Sequence, residues 1–367
     1  MKLKFFTLVS LLFSGAFLSA QMSGMMTMQQ NSNSRGTTLG ANTTTGAAGI
    51  ALGNRVVMRG YVDFIFDYQD EENGGQTESF STSADVDFLF DFSPLTAEIH
   101  FNATNSNSIS ATTTRTNPDL SDPNPTYSTT GTADGVGIEQ VYGRYAFNRD
   151  FNISFGRQLT ALGYEADEAP GLYSVSNAYL QGSRRNYVDG VRANFNNGRF
   201  GFTLGLHDDY FGVTDNFNGD NIAIDLAASL MIVPGLEARL GYAQQEVGGL
   251  VDDDISQFNA WIAYNPGDLT LAFEYDNIDM YQDDYWSMLL LANYQFNEMF
   301  GATFKYTHED MEDAGGSESD ADRFTFALLF TITQNLFFNV EYSHAEVDAG
   351  STDYDIDEFY LEALLTF

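Results

Sequence analysis

Carboxylates, arginines and a histidine recur at every second position in parts of this chain. Asp85, Asp87 and Asp91 alternate with Val86, Phe88 and Phe90, and the next run carries Glu98 and His100. On an extended backbone, residues two apart share a face. Arg59 with Asp63, Arg144, Arg192, and Glu358 with Glu362 occupy the same phase of their own runs. Rows of ionised groups on one face suit the wetting of an aqueous passage and the sorting of ions. A second set lies in one long segment between two such runs. Glu165, Asp167 and Glu168 stand near its start, and Arg184 and Arg185 near its end. These residues are the candidate lining and constriction of a channel.

Catalysis finds little support. His100, His207, His308 and His344 show no paired metal-ligand spacing, and no Gly-x-Ser-x-Gly motif is present. The chain has no cysteine, which excludes thiol nucleophiles and thiolate metal sites. The expectation is no enzyme and no cofactor. Acidic runs at Asp70-Glu71-Glu72, Asp252-Asp253-Asp254, Glu309-Asp310 with Glu312-Asp313, and Asp353, Asp355 and Asp357 offer oxygens that suit weakly bound Ca2+ or Mg2+. None has the spacing of a dedicated calcium loop, and a solvated charge run is the plainer reading.

The elements that must hold the wet faces are strands with an apolar opposite face. Ala84, Val86, Phe88, Phe90 and Phe92 stand against Asp85, Asp87, Leu89 and Asp91. After Ser93-Pro94, Leu95, Ala97, Ile99, Phe101 and Ala103 repeat the pattern. The same hairpin recurs to the end, turning at Asn196-Asn197-Gly198, Pro234-Gly235, Pro266-Gly267-Asp268, Asn297-Glu298 and Gln334-Asn335. The last strand shows Phe359, Leu361, Ala363, Leu365 and Phe367. The count is about 16 strands. The tight turns alternate with longer loops at 69–83, 105–136, 159–186, 208–220, 246–254, 277–283, 308–321 and 346–354. Aromatics gather near both strand ends, as two membrane interfaces require. One position resists: Arg157 shares the phase of Phe151, Ile153 and Phe155, so a bulge at Gly156 or an early inward turn is expected there. The fold class expected is all-β: a transmembrane antiparallel up-and-down barrel with periplasmic termini.

The N-terminus opens with Lys2 and Lys4, an apolar run from Phe5 to Phe17, and Ser19-Ala20. This reads as a signal peptide over 1–20. Leu18 is large for a cleavage site, so a cut after Ala16 stays open. Residues 21–54, rich in Gln, Asn, Ser, Thr, Gly and Met, read as a periplasmic leader, with a plug or short helix as the other use. The barrel then occupies 55–367. Losing two lysines leaves 16 − 2 = 14 basic residues against 51 acidic, so the formal charge moves from −35 to −37. Such a chain does not bind nucleic-acid phosphates. Disorder is excluded by 31 Phe and 20 Tyr, since disordered chains lack aromatics.

The terminal Phe359–Phe367 pattern resembles the C-terminal signature of bacterial outer-membrane proteins, which implies recognition of Phe367 by the barrel-assembly machinery. Gly156-Arg157, Gly163-Tyr164-Glu165, Tyr173-Ser174 and Gly190-Val191 resemble the OmpL-like family of β-barrel porins. The resemblance implies a bacterial outer-membrane channel for small solutes or ions, exported from a Gram-negative cytoplasm into outer-membrane lipid and lipopolysaccharide. It names no solute. The strand count also resembles the general trimeric porins, whose third external loop folds into the pore, and implies a possible homotrimer.

Here the third loop is 159–186. Its Leu159, Ala161, Leu162, Leu172, Val175 and Leu180 are more apolar than a solvated loop requires. It is expected to narrow the pore and to face the acidic wall made by the last strand and the first three. Packing on itself at the surface is the other reading. The carboxylate excess on the wet faces suggests cation preference, with plain lumen wetting as the alternative. A structural or adhesive barrel with a blocked lumen is the competing class.

Overall fold

The computed structural model describes residues 49–367 apart from 73, 107–109, 117–125, 133–134, 167, 180–186, 212–221, 248–252, 281–282, 313–315, 317 and 351. The expected signal peptide, most of the leader, Asp167, Arg184 and Arg185 lie outside the described residues.

Alternating side chains along extended segments build a closed antiparallel barrel. Its sixteen strands are β1 (Val56–Glu71), β2 (Gly75–Phe92), β3 (Leu95–Ser106), β4 (Gly135–Ala146), β5 (Phe151–Leu159), β6 (Tyr187–Asn196), β7 (Phe200–His207) and β8 (Ala223–Val233). They continue as β9 (Leu236–Val247), β10 (Asp253–Tyr264), β11 (Leu269–Met280), β12 (Asp283–Asn297), β13 (Phe300–Glu312), β14 (Glu318–Thr331), β15 (Leu336–Asp348) and β16 (Asp353–Thr366).

Every strand pairs with its sequence neighbours, and β16 returns to β1 with Leu361 opposite Phe66 and Leu365 opposite Val62. The seam runs to the final residue: Gly60 N donates to the Phe367 carbonyl at 3.0 Å, and Phe367 N returns a 2.9 Å bond. Gly60 is required there, because a Cβ would stand 2.1 Å from the Asp85 carbonyl oxygen. Closure leaves no strand edge, which is the condition for a sheet in hydrocarbon.

The outward face is apolar and exposed: Phe64, Phe155, Leu204, Leu240, Leu271, Phe304, Phe326 and Leu365 all project from the barrel. Asp63, Asp85, Glu98, Arg192, Glu274, Lys305 and Glu341 project inward and are buried. The strand count and alternation therefore match the sequence. Outside the barrel, Ile50–Ala51 pairs with Val57 and Met58, and Ser110–Thr116 forms a hairpin with Thr126–Thr132.

The loop lengths do not all match. Only 72–74 join β1 to β2, where 69–83 was expected, and only 281–282 join β11 to β12. β13–β14 and β15–β16 likewise extend into the expected loops at 308–321 and 346–354. Beyond the lipid both faces are wet, so alternation fades while the hydrogen-bond ladder continues. Glu309 is consequently not part of an external acidic run. It is a buried β13 residue that accepts a 3.1 Å bond from the Tyr285 hydroxyl.

The expected bulge at Gly156 is absent. Register is unbroken on both sides, with Arg157 opposite Val141 and Asp189. Gly156 takes φ 120°, and a Cβ there would lie 2.2 Å from the Val141 carbonyl oxygen. Arg157 stays outward, two residues from the strand end. It donates to Asp189 at 2.7 Å and to the Glu139 carbonyl at 3.1 Å, and its guanidinium lies over the Tyr187 ring. The charge is satisfied at the rim instead of being turned inward.

Candidate functional site

The inward faces are not uniformly polar. β10, β11 and β12 turn Trp261, Ala272, Leu289 and Leu291 toward the lumen. The segment between β5 and β6 covers them: Tyr164, Tyr173 and Ala178 pack on this patch, with the Tyr164 and Trp261 rings 5.4 Å apart. Its Leu162 joins Val188, Tyr210, Ala223 and Ala243, and Ala169 reaches a third patch formed by Tyr61, Ala327, Leu329, Phe337 and Leu364. Burying a large apolar side chain is worth about 1.5–3 kcal/mol, so these contacts hold the segment against the wall.

Polar bonds fix its position. Gly163 N donates to Asn259 at 3.2 Å, and Tyr164 N to Glu274 at 2.6 Å. Val175 N donates to Glu341 at 2.6 Å, and Ser176 N at 3.2 Å. Lys305 donates to Glu165 at 3.1 Å and to the Ser176 carbonyl at 2.8 Å. Arg323 donates to the Asn177 carbonyl at 3.1 Å and also pairs with Glu358. Burial pushes the Tyr164 and Tyr179 hydroxyls well above their ordinary range, so both remain neutral donors.

The segment was expected to face the acidic wall of β16 and β1–β3. It is fastened instead mainly to β10–β15, which supply the apolar inward positions. Its near end alone approaches the acidic wall, where Glu168 Oε1 lies 3.8 Å from His100 Nδ1. Glu165 was expected to add negative charge to the passage. It is buried and neutralised by Lys305, and it accepts the Ala178 N–H at 2.6 Å.

The structure brings the carboxylates of β1–β3 together on the inner face. Asp63, Asp85, Asp87 and Glu98 are all buried on β1–β3. Arg59 lies 3.1 Å from Asp87 and 3.9 Å from Glu98, and Arg144 approaches Glu98 at 3.8 Å. Of the β16 members, Glu358 is engaged by Arg323, and Glu362 accepts from Asn339. Beside this wall lies a small, partly open pocket lined by Arg144, Arg192 and Arg239 together with Asn152, Asn194 and Thr203. Arg192 pairs with Asp225 at 3.1 Å, and His207 meets the same carboxylate at 3.0 Å. The basic side that the sequence assigned to Arg184 and Arg185 thus has a described counterpart on β4, β6 and β9.

Alternation puts Glu274, Lys305, Arg323 and Glu341 on the wet faces, but neither their role in holding the segment nor Asn259 and Trp261 was read from the sequence. The available signal was the unbroken apolar run Met288–Ala292, which gives β12 a dry inner face that some other part of the chain must cover.

A family model described as "putative beta-barrel porin-2, OmpL-like" matches residues 55–361. The chain belongs to this porin family. Solved structures of the same fold include OmpF of Salmonella typhi, at 12% identity and TM-score 0.62, covering 86% of this chain and 98% of that one. An anion-selective porin from Comamonas acidovorans aligns at 14% identity and TM-score 0.61, covering 85% and 99%. OmpT of Vibrio cholerae in its trimer form aligns at 12% identity and TM-score 0.55, covering 86% and 100%. No curated protein matches the sequence. Membership of the OmpL-like porins places the chain among outer-membrane β-barrels and makes it a porin channel.

Proposed function

We propose that this porin is a passive diffusion channel for small hydrophilic solutes and ions, narrowed by segment 159–186 and preferring cations. The observation that carries the narrowing is the set of bonds from Gly163, Tyr164, Val175 and Ser176 to inward side chains of β10, β11 and β15. A segment leaving β5 and tied there occupies part of the lumen section. Sixteen-strand barrels otherwise hold an open aqueous channel.

Cation preference follows from where charge is left over. Carboxylates under the inserted segment are neutralised by Lys305, Arg323 and backbone N–H groups. Those on β1–β3 outnumber their cations, and an acidic lumen surface draws cations. Reversal potential in a planar bilayer across a salt gradient tests this: a cation-selective sign is expected, and an anion-selective sign overturns it. Swelling of liposomes in small sugars tests the open channel against a blocked adhesive barrel. No swelling would favour the latter.

The same reading sets the tight-turn end and both termini in the periplasm and the longer connections outside, after export by a signal peptide at 1–20. Phe367 is then the residue read by the assembly machinery. Acidic strand ends, such as Asp70 and Asp357, would bridge through Ca2+ or Mg2+ to lipopolysaccharide phosphates. A homotrimer is the assembly we propose, in line with the trimer form of the fold relative; light scattering in detergent measures it.

A further inference from the structure

We propose that Asp85 and Asp87 of β2 and His100 of β3 bind a divalent transition-metal ion on the lumen wall. The three offer one donor atom each, and those atoms lie within 4.8 Å of one another. Small side-chain adjustments bring such a set around an ion with bonds of about 2 Å.

Asp85 supplies the independent sign of a missing ligand. Its side chain is 0% exposed, and neither carboxylate oxygen accepts a hydrogen bond. Among its ionisable neighbours, Asp87, Glu168 and Glu139 are themselves carboxylates, and Tyr61 stands opposite it on β1. An acceptor that faces acceptors needs a proton or a cation between them.

The imidazole decides between those two. His100 Nδ1 points to Asp87 Oδ1 at 2.7 Å, while Nε2 lies 3.3 Å from Glu98 Oε2. A ligating histidine usually gives its other N–H to a carboxylate, which fixes the tautomer and aims the free nitrogen at the metal. Glu98 stands in that position. Arg59 engages the ligand Asp87 through Oδ2 at 3.1 Å, leaving Oδ1 toward His100, and Arg59 and Arg144 lie 3.9 and 3.8 Å from Glu98. Gln140 Nε2 lies 3.3 Å from His100 Nδ1 and would turn aside when the ion binds. One imidazole and two carboxylates suit Zn2+, Fe2+ or Mn2+ better than Ca2+, which takes oxygen alone. Glu168, 3.8 Å from His100 Nδ1, is placed to become a further oxygen ligand and would tie the inserted segment to this wall.

The test uses the full chain folded in detergent, with barrel closure checked by heat-dependent gel mobility. After stripping with EDTA and desalting, the protein is dialysed against Zn2+ in excess Ca2+ and Mg2+, and bound metal is counted. Stoichiometric zinc is expected. Asp85→Asn and His100→Gln should each weaken binding more than about tenfold, and Glu98→Gln by about 10–100-fold. Asp268→Asn, in the exposed Pro266-Gly267-Asp268 turn, should change nothing. X-ray absorption at the zinc edge of the unsubstituted protein should show one imidazole nitrogen among oxygens, which keeps the test intact if a variant misfolds. No zinc above background, displacement by Ca2+, or uptake unchanged in both ligand variants overturns the site. Liposome swelling by the stripped protein reports the channel separately, so a porin without the metal is a distinguishable result.

Discussion

On β10–β15 the inward carboxylates Glu274 and Glu341 meet backbone N–H groups of the inserted segment, and Lys305 and Arg323 reach its Glu165 and Asn177. On β1–β3 the inward carboxylates Asp85, Asp87 and Glu98 meet Arg59, Arg144, His100 and one another. The residue types are alike and the outcomes differ. Where apolar side chains such as Leu289 and Trp261 stand alongside, the wall is covered and its charges become fasteners. On β1–β3 the carboxylates pair instead with Arg59, Arg144 and His100, and in the proposed reading their excess sets the field.

Removing the fastened cover should have the largest effect. Deleting 164–178 with a short glycine bridge should raise single-channel conductance several-fold. An unchanged conductance would remove the segment from the conducting path. Next comes Lys305→Met, which leaves Glu165 buried without its cation. Breaking a buried pair this way costs about 3–5 kcal/mol, and here the segment should detach instead. Flickering conductance is expected, with quiet traces restored by adding Glu165→Gln. If Glu165→Gln does not rescue, the pair is not the fastener.

Changing charge on the open wall should act on selectivity alone. Asp85→Asn with Asp87→Asn should move the reversal potential toward anions while barrel stability to heat stays close to the parent. Glu341→Gln should do the reverse, loosening the segment with little change in selectivity. If both pairs of measurements shift together, the two sectors are not functionally separate. The smallest effect is expected outside the lumen. The Arg157–Asp189 pair has side chains 40% and 55% exposed, so Arg157→Gln should cost no more than about 1 kcal/mol in a denaturant titration.

The barrel was legible because lipid imposes a rule at every second residue. Phe64, Leu204 and Phe326 could be assigned outward from phase alone, and the strand count followed. Legibility stopped where that rule stops. Gln76 and Glu78 continue β2 beyond the lipid, but with both faces wet they read as loop. Gly156 carries a positive φ that lets register run on, and nothing in its type distinguishes that from a bulge.

The candidate site was half legible for a related reason. Asp85, Asp87 and Glu98 belong to neighbouring strands and announce themselves by spacing. Lys305 and Glu165 meet across 140 residues of sequence. Glu341 serves backbone groups, which have no letter in the sequence. The apolar residues of 159–186 and the apolar run at Leu289–Leu291 were the readable traces of the cover, and neither says which residues meet.

The joint between Gly60 and Phe367 ties the beginning of the barrel to its last residue, roughly 300 positions apart, and contacts of such separation are slow to form. A chain emerging N-terminus first has to keep β1 with one side unmatched until β16 is available. Protection of that raw margin therefore falls to whatever escorts the polypeptide, and a premature stop anywhere before β16 should yield a product for degradation rather than a smaller pore.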